Sequence, residues 1–472
     1  MPTTDRLRDG LAREIGAERI LSGPSVERTY ESDAYNVDRS QPTVVVLPES
    51  TDEVAKVVRW CRREGIPFTA RGAGTGLSGG AMPALGGVVI STKKLNRILE
   101  IDLPNRRMRA QAGVTNIALS KAVAAHGLHF APDPSSQTVA TLGGNIAENS
   151  GGPHTLKYGV TAPHILGLTL IDAEGEILEL ERGFGPDWIG MVVGSEGTLG
   201  VVTEAWVRLT PVPEHVETAL ACFGTVREAS ECVSAIISRG VLPAALEMMD
   251  RNILMALRAA FGLEFPDATQ AMLLVECDGP REACRQEIEA VEQAFRDFGA
   301  ITQQRARDAA ERAKLWTARK KGVGAMGRLA PSVVTHDGVI PRSKLPEMLD
   351  AVYEIAARYQ IGVANLFHAG DGNLHPCFYF DDRDPRQVEA VVAAGTEVIQ
   401  KCIELGGSVT GEHGIGVEKL DLMGLMFSPG DLAYQARLKE IFGTNELCNP
   451  CKVLPNQRGC QEHRLRWRGV AT

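Results

Sequence analysis

Arg71-Gly72-Ala73-Gly74-Thr75-Gly76-Leu77-Ser78-Gly79-Gly80 is the densest glycine loop of the chain, and the fold assignment starts from it. The spacing Gly74-x-Gly76-x-x-Gly79 matches the dinucleotide fingerprint, but that fingerprint requires a helix that opens at its third glycine. The following stretch, Gly80-Ala81-Met82-Pro83-Ala84-Leu85-Gly86-Gly87, is a poor helix start. We therefore predict a loop between two strands, whose backbone N–H groups surround an anion such as a phosphate. A glycine-rich surface loop without a ligand is the alternative.

The segments around this loop predict an N-terminal domain in which strands and helices alternate. Val44-Val45-Val46-Leu47-Pro48 is a short strand, and Ser50-Thr51-Asp52-Glu53 has the serine-to-glutamate spacing of a capping box. The helix that follows is predicted to end at Gly65, before strands at 66–70 and 87–90. A further helix is predicted from Asn116 to His126, ended by Gly127. Residues 160–210 are predicted to be mainly strands, at 165–171, 177–181 and 200–209.

Two prolines within Thr210-Pro211-Val212-Pro213-Glu214 predict a domain boundary. We assign residues 1–212 to a first domain with a helical lead-in and 213–456 to a second domain in which strands and long helices alternate, with helices predicted at 226–239, 280–298 and 344–359. Residues 457–472 are assigned to a tail. The predicted fold class is α+β with two domains.

The composition excludes several classes of protein. The chain has 472 residues, a formal net charge of −9, 44% hydrophobic and 23% charged residues, which is close to an average globular protein. The mild acidity provides no attraction to nucleic acid or anionic lipid. No apolar run approaches the about 18 residues of a membrane span, and the N-terminus lacks the pattern of a signal peptide. With ten scattered cysteines, expected to be mostly reduced and buried, these features predict a cytoplasmic protein.

Three further segments favour a bound ligand over a bare loop. They are Pro132-Asp133-Pro134-Ser135-Ser136, Thr141-Leu142-Gly143-Gly144-Asn145-Ile146-Ala147-Glu148-Asn149-Ser150-Gly151-Gly152 and Gly194-Ser195-Glu196-Gly197-Thr198-Leu199-Gly200. The first is a rigid turn, and the other two supply small residues and main-chain amides. Glycine-rich loops that recur between the strands of one domain predict a long, flat ligand. A dinucleotide fits this pattern better than a single phosphate does.

The loop at 71–80, Leu142-Gly143-Gly144-Asn145 with Ser150-Gly151-Gly152, and the stretch at 194–200 together resemble the flavin domain of the vanillyl-alcohol-oxidase and para-cresol-methylhydroxylase (PCMH) type of FAD protein. The resemblance extends from residue 40 to residue 455. Within that family the chain is most similar to the flavin subunits of glycolate oxidase and to the D-lactate and D-2-hydroxyglutarate dehydrogenases. The resemblance implies an α+β, two-domain PCMH-type fold with a C-terminal α/β substrate (cap) domain.

The resemblance also implies which residues bind FAD. Residues 72–80 would hold the pyrophosphate, and 132–136 and 142–152 would line the flavin. Some relatives bind FAD covalently through a histidine in the pyrophosphate loop; this loop contains none, so noncovalent FAD is expected. The residues expected to bind the cofactor are Arg71, Gly72, Ala73, Gly74, Thr75, Gly76, Ser78, Gly79, Pro132, Asp133, Ser136, Leu142, Gly143, Gly144, Asn145, Ala147, Asn149, Ser150, Gly151, Gly152, Gly159, Glu196, Gly200, Val201, Val202, Asn373 and Asn449.

Three of the ten histidines lie in glycine-rich stretches of the second domain. His368 and His375 belong to Asn365-Leu366-Phe367-His368-Ala369-Gly370-Asp371-Gly372-Asn373-Leu374-His375, and His413 belongs to Gly411-Glu412-His413-Gly414-Ile415-Gly416. Two histidines and a glutamate suit a divalent metal that keeps open positions for a substrate. Hydrogen-bonded loop histidines are the alternative for each residue taken alone.

The resemblance to the hydroxy-acid dehydrogenases gives these residues roles. His368, His375 and Glu412 would bind one divalent metal, namely zinc, manganese or iron, while Asn373 would approach the flavin edge. The implied reaction oxidises a small 2-hydroxy acid to the 2-oxo acid, with the hydride passing to flavin N5 and the hydroxyl proton to His413. A metal on the hydroxyl and carboxylate would lower the pKa of the hydroxyl.

Arg319 lies in Lys314-Leu315-Trp316-Thr317-Ala318-Arg319-Lys320-Lys321, at the predicted end of a helix. It falls on the family's Trp-x-x-Arg position, where the arginine binds the substrate carboxylate, and a guanidinium fork suits that contact. A solvated basic face is the alternative, and it is the interpretation that we keep for Lys320 and Lys321.

The size of the acid is predicted from one further stretch. Relatives that act on 2-hydroxyglutarate carry a lysine just before an Asp-x-x-x-Pro motif, and that lysine pairs the distal carboxylate. Here the stretch is Thr335-His336-Asp337-Gly338-Val339-Ile340-Pro341, without lysine. A second buried carboxylate would lack its partner, so we expect a monocarboxylate such as glycolate or D-lactate. Compensation by Arg328 or Arg342 keeps the larger acid open.

Three alternatives remain at this level. One is an FAD-dependent transferase similar to alkylglycerone-phosphate synthase, although that enzyme carries consecutive histidines where this chain has Glu412-His413. The second is a D-2-hydroxyglutarate dehydrogenase. The third is a non-catalytic flavin accessory subunit, which should lack the metal set.

The C-terminal cysteines and the partners are predicted together. Cys448-Asn449-Pro450-Cys451-Lys452 and Cys460 fall short of a four-thiolate cluster, and Cys451 departs from the family's usual Asn-Pro-Gly-Lys. We therefore expect any iron–sulfur cluster on a partner subunit. An iron–sulfur or accessory flavin subunit is the expected electron acceptor, with attachment to the inner membrane face only through a partner. Homo-oligomerisation is left open.

Overall fold

The computed structural model describes residues 3–183, 185–443 and 446–455, and the chain divides into two compact units. The first unit comprises Met1–Gly151, Val160–Pro211 and Glu412–Thr472, and the second comprises Gly152–Gly159 and Val212–Gly411. One boundary falls in the proline-rich stretch at 210–214. The other boundaries between the units, at 151/152, 159/160 and 411/412, each directly follow a glycine and are not marked by a change of composition.

A four-stranded sheet in the first unit carries the glycine loop. Three neighbouring strands run parallel: Val44–Val46, Val88–Ser91 and, at the edge, Phe68–Arg71. At the other edge, Ile20–Leu21 pairs antiparallel with Val44–Val46. The helix Thr51–Glu64 connects two of these strands. It begins at Ser50, whose side chain accepts a hydrogen bond from Glu53 N, and it ends at the left-handed Gly65. The strand–helix–strand prediction is therefore confirmed in this region.

A five-stranded antiparallel sheet forms the other layer of the first unit. Its strands, in spatial order, are Ile98–Asp102, Arg107–Gln111, Gly200–Arg208, Ile165–Asp172 and Ile177–Glu181. A two-stranded ribbon pairs Thr210–Pro211 with Leu128–His129. The three strands predicted within 160–210 are all present. Burial alternates along Ile177–Glu181 and Gly200–Arg208, whereas Ile165–Asp172 is buried at all but one position.

The helices of the first unit are mostly short. They are Thr4–Ile15, Pro24–Thr29, Thr51–Glu64, Asn116–Val123, Leu142–Glu148, Trp188–Val192, Met423–Met426 and Pro429–Ile441, with 3-10 turns at Ala17–Arg19, Thr92–Lys94, Ala124–His126, Ala162–His164 and Leu420–Leu422. The helix predicted from Asn116 ends at Gly127, as expected, after a 3-10 turn.

The second unit is built on an antiparallel sheet. The strands Thr302–Arg305, His215–Phe223, Ala271–Gly279, Ala245–Asp250, Gly362–His368, Asn373–Leu374 and Gly338–Val339 follow one another across it, and Pro376–Phe380 joins Gly362–His368 to Ser332–Thr335. Alternation of helices and strands predicted a cap domain of this composition. That alternation does not predict whether neighbouring strands are parallel or antiparallel, and the observed pairs are antiparallel.

Long amphipathic helices accompany this sheet. They are Val226–Ser238, Arg251–Phe261, Arg281–Asp297, Ala309–Ala325, Leu345–Arg358 and Pro385–Glu404, with the short helix Thr155–Tyr158 and 3-10 turns at Met326–Arg328 and Arg342–Lys344. Three of them match the predicted helices at 226–239, 280–298 and 344–359 within two residues. Among the described helices, none combines the length and the apolarity that crossing a bilayer requires.

Most of the described cysteines fit the expected reduced state. Eight of them are free thiols with buried side chains. Cys448 belongs to this group, and Cys451 is also buried. Cys460 and the predicted tail at 457–472 lie outside the described residues.

Candidate active site

The glycine loop, defined as residues 72–80, leaves the strand Phe68–Arg71 and contains no helix. The prediction of a loop between two strands is therefore confirmed. Gly79 has a φ of +81°, and a Cβ atom there would lie 2.5 Å from Val417 Cγ2. A Cβ atom on Gly72 would lie 2.3 Å from Thr141 Oγ1. A larger residue at either position would therefore displace the neighbouring side chain, and Gly79 is in addition favoured by its left-handed backbone.

The second predicted segment, 141–152, begins with a helix, Leu142–Glu148, where the sequence pattern indicated a glycine-rich loop. Thr141 caps this helix, since its hydroxyl accepts a hydrogen bond from Gly144 N. Asn149 ends it in the left-handed conformation, with a φ of +52°. The cap and the buried Leu142 and Ile146 outweigh the low helix propensity of two adjacent glycines.

Glu196, predicted to contact the cofactor, has its carboxylate committed to the main chain. Its two oxygens accept hydrogen bonds from Ile415 N at 2.6 Å and from Gly416 N at 2.7 Å. Its own N–H donates to Ala147 O at 2.8 Å. Glu196 therefore joins three segments of the first unit, and it anchors the chain that follows His413.

The C-terminal residues complete this arrangement. Asn449 Nδ2 donates to Gly80 O at 3.0 Å and to Glu196 O at 2.7 Å, so a single amide links the glycine loop to the 194–200 stretch. The buried ammonium group of Lys452 donates to Met82 O at 2.8 Å. Asn449 was expected at the flavin pocket, but Lys452 was not predicted to belong to the site. The available signal was its position as a charged residue shortly after Asn449-Pro450.

The histidine loop, defined as residues 412–416, packs on the glycine loop within the first unit. Ser78 Oγ donates to His413 O at 2.9 Å, and Val417 N donates to Ser78 O at 2.9 Å. Gly416 has a φ of +52°, and a Cβ atom there would lie 1.9 Å from Ser78 O. The main chain of the predicted base is thus held by a residue predicted to bind the cofactor.

Buried charges surround these loops. Burial raises the pKa of Asp33 to about 6, despite hydrogen bonds from Tyr35 N and Ala81 N. Burial likewise raises the pKa of Glu196 to about 6, and burial together with the charge of Glu196 raises the pKa of Glu148 well above its usual value. Burial lowers the pKa of Lys452 to about 8. Several charges close together in a low dielectric are typical of functional sites.

The other residues predicted to bind FAD are distributed over both units. The turn at 132–136 lies in the first unit, where Asn116 Nδ2 donates to Pro132 O at 2.8 Å. Gly200, Val201 and Val202 begin the strand Gly200–Arg208, and a Cβ atom on Gly200 would lie 2.3 Å from Ile171 O. Gly152, Gly159 and Asn373 belong to the second unit.

The second unit contains a buried triad of charged and polar side chains that joins two predicted site residues. Glu247 Oε1 lies 2.6 Å from His368 Nδ1, and Glu247 Oε2 accepts a hydrogen bond from Arg319 Nε. Burial raises the pKa of Glu247, but the charge of Arg319 and the hydrogen bonds from His368 and Arg319 outweigh it and lower that pKa to about 2. Arg319 lies in the middle of the helix Ala309–Ala325 rather than at its end.

His375 has a carboxylate neighbour too. Its ring centroid lies 5.1 Å from that of His368, at an interplanar angle of 83°. His375 Nε2 lies 3.6 Å from Asp337 Oδ1, and Asp337 Oδ2 accepts hydrogen bonds from Thr410 Oγ1 at 2.6 Å and Gly411 N at 2.7 Å. Asp337 therefore fixes the residue that directly precedes Glu412. Sequence analysis considered Asp337 only as part of a substrate motif.

The neighbouring lysines behave as expected from their sequence. Lys320 and Lys321 are exposed, and Lys321 Nζ lies 4.5 Å from the centre of the Phe261 ring. Arg319, in contrast, is buried. Helical periodicity explains this difference, since Leu315, Trp316 and Arg319 share the buried face of the helix.

Comparison with known proteins now identifies the family. A family model described as "FAD linked oxidases, C-terminal domain" matches residues 212–453, and one described as "FAD binding domain" matches residues 42–181. The chain belongs to the FAD-linked oxidase family. The FAD-linked oxidase is 40% identical over 468 residues to glycolate oxidase subunit GlcD of Escherichia coli, covering 98% of this chain and 94% of that protein. It is 32% identical over 455 residues to D-lactate dehydrogenase of Anaerostipes hadrus, covering 93% and 96%.

A solved structure supports the fold of this FAD-linked oxidase. p-Cresol methylhydroxylase superposes with a TM-score of 0.80 at 16% identity, covering 96% of this chain and 97% of that chain. This superposition confirms the predicted α+β PCMH-type fold, and the family models and the relatives in sequence confirm the predicted family. The chain is an FAD-dependent oxidoreductase.

Proposed function

We propose that this oxidoreductase converts a short 2-hydroxy acid, glycolate or D-lactate, to the 2-oxo acid with noncovalently bound FAD. The names of its relatives, a glycolate oxidase subunit and a D-lactate dehydrogenase, support this substrate class. The observation that carries the proposal is the hydrogen bond from Ser78 to the main chain of His413. It ties the predicted base to the loop that is predicted to hold the cofactor.

The residues of the first unit fit FAD. Asn145 Nδ2 and Asn449 Oδ1 are among the buried side-chain atoms of the described chain that have no hydrogen-bond partner, and a polar cofactor would supply one. The glycine loop and the 141–152 segment would hold the diphosphate and the flavin. When bound, FAD supplies the hydride acceptor of the reaction.

Two residues of the chain would accept the hydroxyl proton of the substrate and bind its carboxylate. His413 would accept the hydroxyl proton on an imidazole nitrogen, since imidazole titrates near neutral pH. Arg319 would hold the substrate carboxylate with its two terminal nitrogens, because its Nε is already engaged by Glu247. An arginine whose plane is fixed in this way loses little conformational freedom when it binds an anion.

A divalent metal would be held by His368, His375 and Glu412. The two imidazoles are buried and their ring centroids are 5.1 Å apart, and with a carboxylate they form a donor set that suits zinc, manganese or iron. The metal would lower the pKa of the substrate hydroxyl. A metal set of this kind disfavours a non-catalytic accessory role, and the glutamate at 412 disfavours the transferase.

The proposal of a monocarboxylate depends on His336. In place of the lysine found in relatives that act on 2-hydroxyglutarate, this buried imidazole has its ring centroid 5.3 Å from that of Phe378. A Cβ atom on Gly395 would lie 2.1 Å from the same ring. Arg328 is exposed, and Arg342 donates to Gly370 O at 3.2 Å. These surroundings favour glycolate or D-lactate over a dicarboxylate.

The electrons would leave through a partner. Because the Escherichia coli relative is named a subunit, we propose an iron–sulfur or accessory flavin subunit as the acceptor of this chain. Membrane attachment, if present, would be peripheral and would occur through that partner, on the cytoplasmic side. Homo-oligomerisation is compatible with the same proposal.

Anaerobic titration of the FAD-loaded protein tests the proposal. Glycolate, D-lactate, L-lactate and D-2-hydroxyglutarate would be added separately, with and without a chelator, while the flavin absorbance is followed. We expect glycolate or D-lactate to bleach the oxidised flavin band and the chelator to slow bleaching. Bleaching by D-2-hydroxyglutarate alone would overturn the monocarboxylate assignment. A flavin that no acid reduces would favour the transferase or the accessory role.

A further inference from the structure

Glu247 is a buried carboxylate that no sequence motif singled out, and its place in the second unit is unusual. It lies on the strand Ala245–Asp250, with no exposed surface, between the apolar Leu246 and Met248. Register places it opposite His368 on the neighbouring antiparallel strand Gly362–His368. An ionised group in the interior is costly unless each oxygen is paired, so its two partners define what it does.

The two carboxylate oxygens of Glu247 are divided between two residues with predicted roles. Oε1 lies 2.6 Å from His368 Nδ1, and Oε2 accepts from Arg319 Nε. A carboxylate is an acceptor only, so the proton of this hydrogen bond belongs to Nδ1 of the imidazole. The neutral ring then carries its lone pair on Nε2, which is the form that binds a metal ion.

We propose that Glu247 is a positioning residue that fixes the His368 tautomer for metal binding through Nε2 and fixes the plane of the Arg319 guanidinium. The inference rests on the proposed function and deepens it, because it assigns one carboxylate to both the predicted metal ligand and the predicted carboxylate-binding arginine. Outer-shell carboxylates of this kind orient ligating histidines, and their loss weakens metal binding about 10- to 100-fold.

A second buried glutamate provides a matched control. Glu276 lies on the adjacent strand Ala271–Gly279 and is also almost fully buried. It accepts two hydrogen bonds of 2.7 Å from Arg312 and one of 2.7 Å from Trp316 Nε1, so it too neutralises an arginine. Its other hydrogen-bond partners in the described part of the chain are Thr218 and His154, not His368 or Arg319. Glu276 is therefore comparable to Glu247 in burial and charge but not in role.

The substitution Glu247→Gln gives a specific prediction for the tautomer. Arg319 Nε–H requires an acceptor, so the amide oxygen would turn toward Arg319 and the amide NH2 toward His368. That NH2 group would donate to Nδ1, and the ring proton would move to Nε2, where it blocks metal binding. In the double variant Glu247→Gln/Arg319→Leu, the amide oxygen is released and is able to face His368 again. The second substitution, Arg319→Leu, should therefore partly restore the metal affinity that Glu247→Gln lowers.

The experiment measures Mn2+ binding to the FAD-loaded protein by equilibrium dialysis. We expect Glu247→Gln to weaken Mn2+ binding about 10- to 100-fold at unchanged FAD content, the double variant to bind more tightly than the single variant, and Glu276→Gln to bind as the wild type does. Wild-type affinity in Glu247→Gln, with binding lost in His368→Ala, would overturn the role of Glu247 and leave the proposed metal site standing. A wild-type protein that takes up no Mn2+ would overturn both.

A measurement on the wild type does not depend on the folding of any Glu247 variant. Selective 15N labelling of histidine, with the His368 signals assigned by their loss in His368→Gln, reports which ring nitrogen carries the proton. We expect the Nδ1–H tautomer. An Nε2–H tautomer at His368 in the FAD-loaded, metal-free protein would overturn the proposal.

Discussion

Ser78 Oγ donates a 2.9 Å hydrogen bond to the carbonyl oxygen of His413, so the glycine loop and the histidine loop are joined directly within the first unit. The hydrogen bonds from Ile415 N and Gly416 N to Glu196 hold the other end of the histidine loop. The main chain of His413 is thus fixed by residues that belong to the predicted FAD site. Ordering of those residues by the cofactor would therefore also order the base.

Ser78→Ala tests this coupling. The variant loses one buried hydrogen bond, worth about 1 kcal/mol, at the residue that carries the predicted base. We expect the rate of flavin reduction by the substrate to fall several-fold while FAD content stays that of the wild type, measured by anaerobic stopped-flow absorbance. Ser230→Ala is the control, because Ser230 is equally buried but bonds to Val226 O in the second unit. Equal rates in wild type and Ser78→Ala would contradict the coupling.

Asn449→Ala should weaken FAD binding. The amide of Asn449 makes two hydrogen bonds, to Gly80 O and to Glu196 O, which hold two loops of the predicted cofactor site together. At about 1 kcal/mol for each bond, the loss corresponds to roughly 30-fold in the dissociation constant. Titration of the FAD-free protein with FAD, followed by flavin fluorescence, measures it. Asn105→Ala is the control, since that exposed amide bonds only within its own turn to Asp102. An unchanged FAD affinity in Asn449→Ala would exclude this role.

The buried carboxyl group of Glu148 predicts a pH dependence of stability. Burial and the charge of Glu196 raise its pKa well above the usual value, and burial raises the pKa of Glu196 from 4.5 to about 6. Lys419 and Lys452 oppose the shift of Glu148 without cancelling it. A group whose pKa is raised by folding binds its proton more tightly when folded. The contribution of Glu148 and Glu196 to the free energy of unfolding is therefore largest below pH 4.5 and declines as the pH rises through 6.

Glu148→Gln replaces the carboxyl group by an amide that stays neutral at every pH, as the protonated carboxyl group is. We expect the variant to match the wild type near pH 4.5 and to be more stable above pH 6, by about 1.4 kcal/mol for each unit of pKa shift, in chemical unfolding of the FAD-free protein. Glu289→Gln, on an exposed helix face, serves as the control. Parallel stability curves for wild type and Glu148→Gln across this range would show that Glu148 ionises normally.

Sequence patterns predicted the α+β fold because hydrophobic periodicity and turn residues are local. The helix Thr51–Glu64, its serine cap and its terminal Gly65 follow directly from residues within one stretch. The helix Leu142–Glu148 was missed because adjacent glycines have low helix propensity, and its cap at Thr141 was the only local signal. The motifs identified the candidate histidines and Arg319, but their placement at one site remains a prediction. Glu247 could not be inferred, because its partners are more than 70 residues away in sequence. The one available signal was a charged residue within an apolar strand.

Arg319 provides the most direct test of substrate binding. Its Nε is engaged by Glu247, and its side chain is only 7% exposed, so a lysine would lose both the forked geometry and the contact that holds it. Loss of charge-assisted hydrogen bonds worth about 1.5–3 kcal/mol predicts a rise in KM of roughly ten- to one-hundred-fold for Arg319→Lys, and a larger rise for Arg319→Met. Steady-state kinetics with an artificial electron acceptor measure it, with FAD content checked by absorbance. Lys320→Ala is the control, because that neighbouring cation is exposed and should leave KM unchanged. If Arg319→Met keeps the wild-type KM while remaining folded and flavin-loaded, Arg319 has only a structural role beside Glu247, and another cation binds the carboxylate.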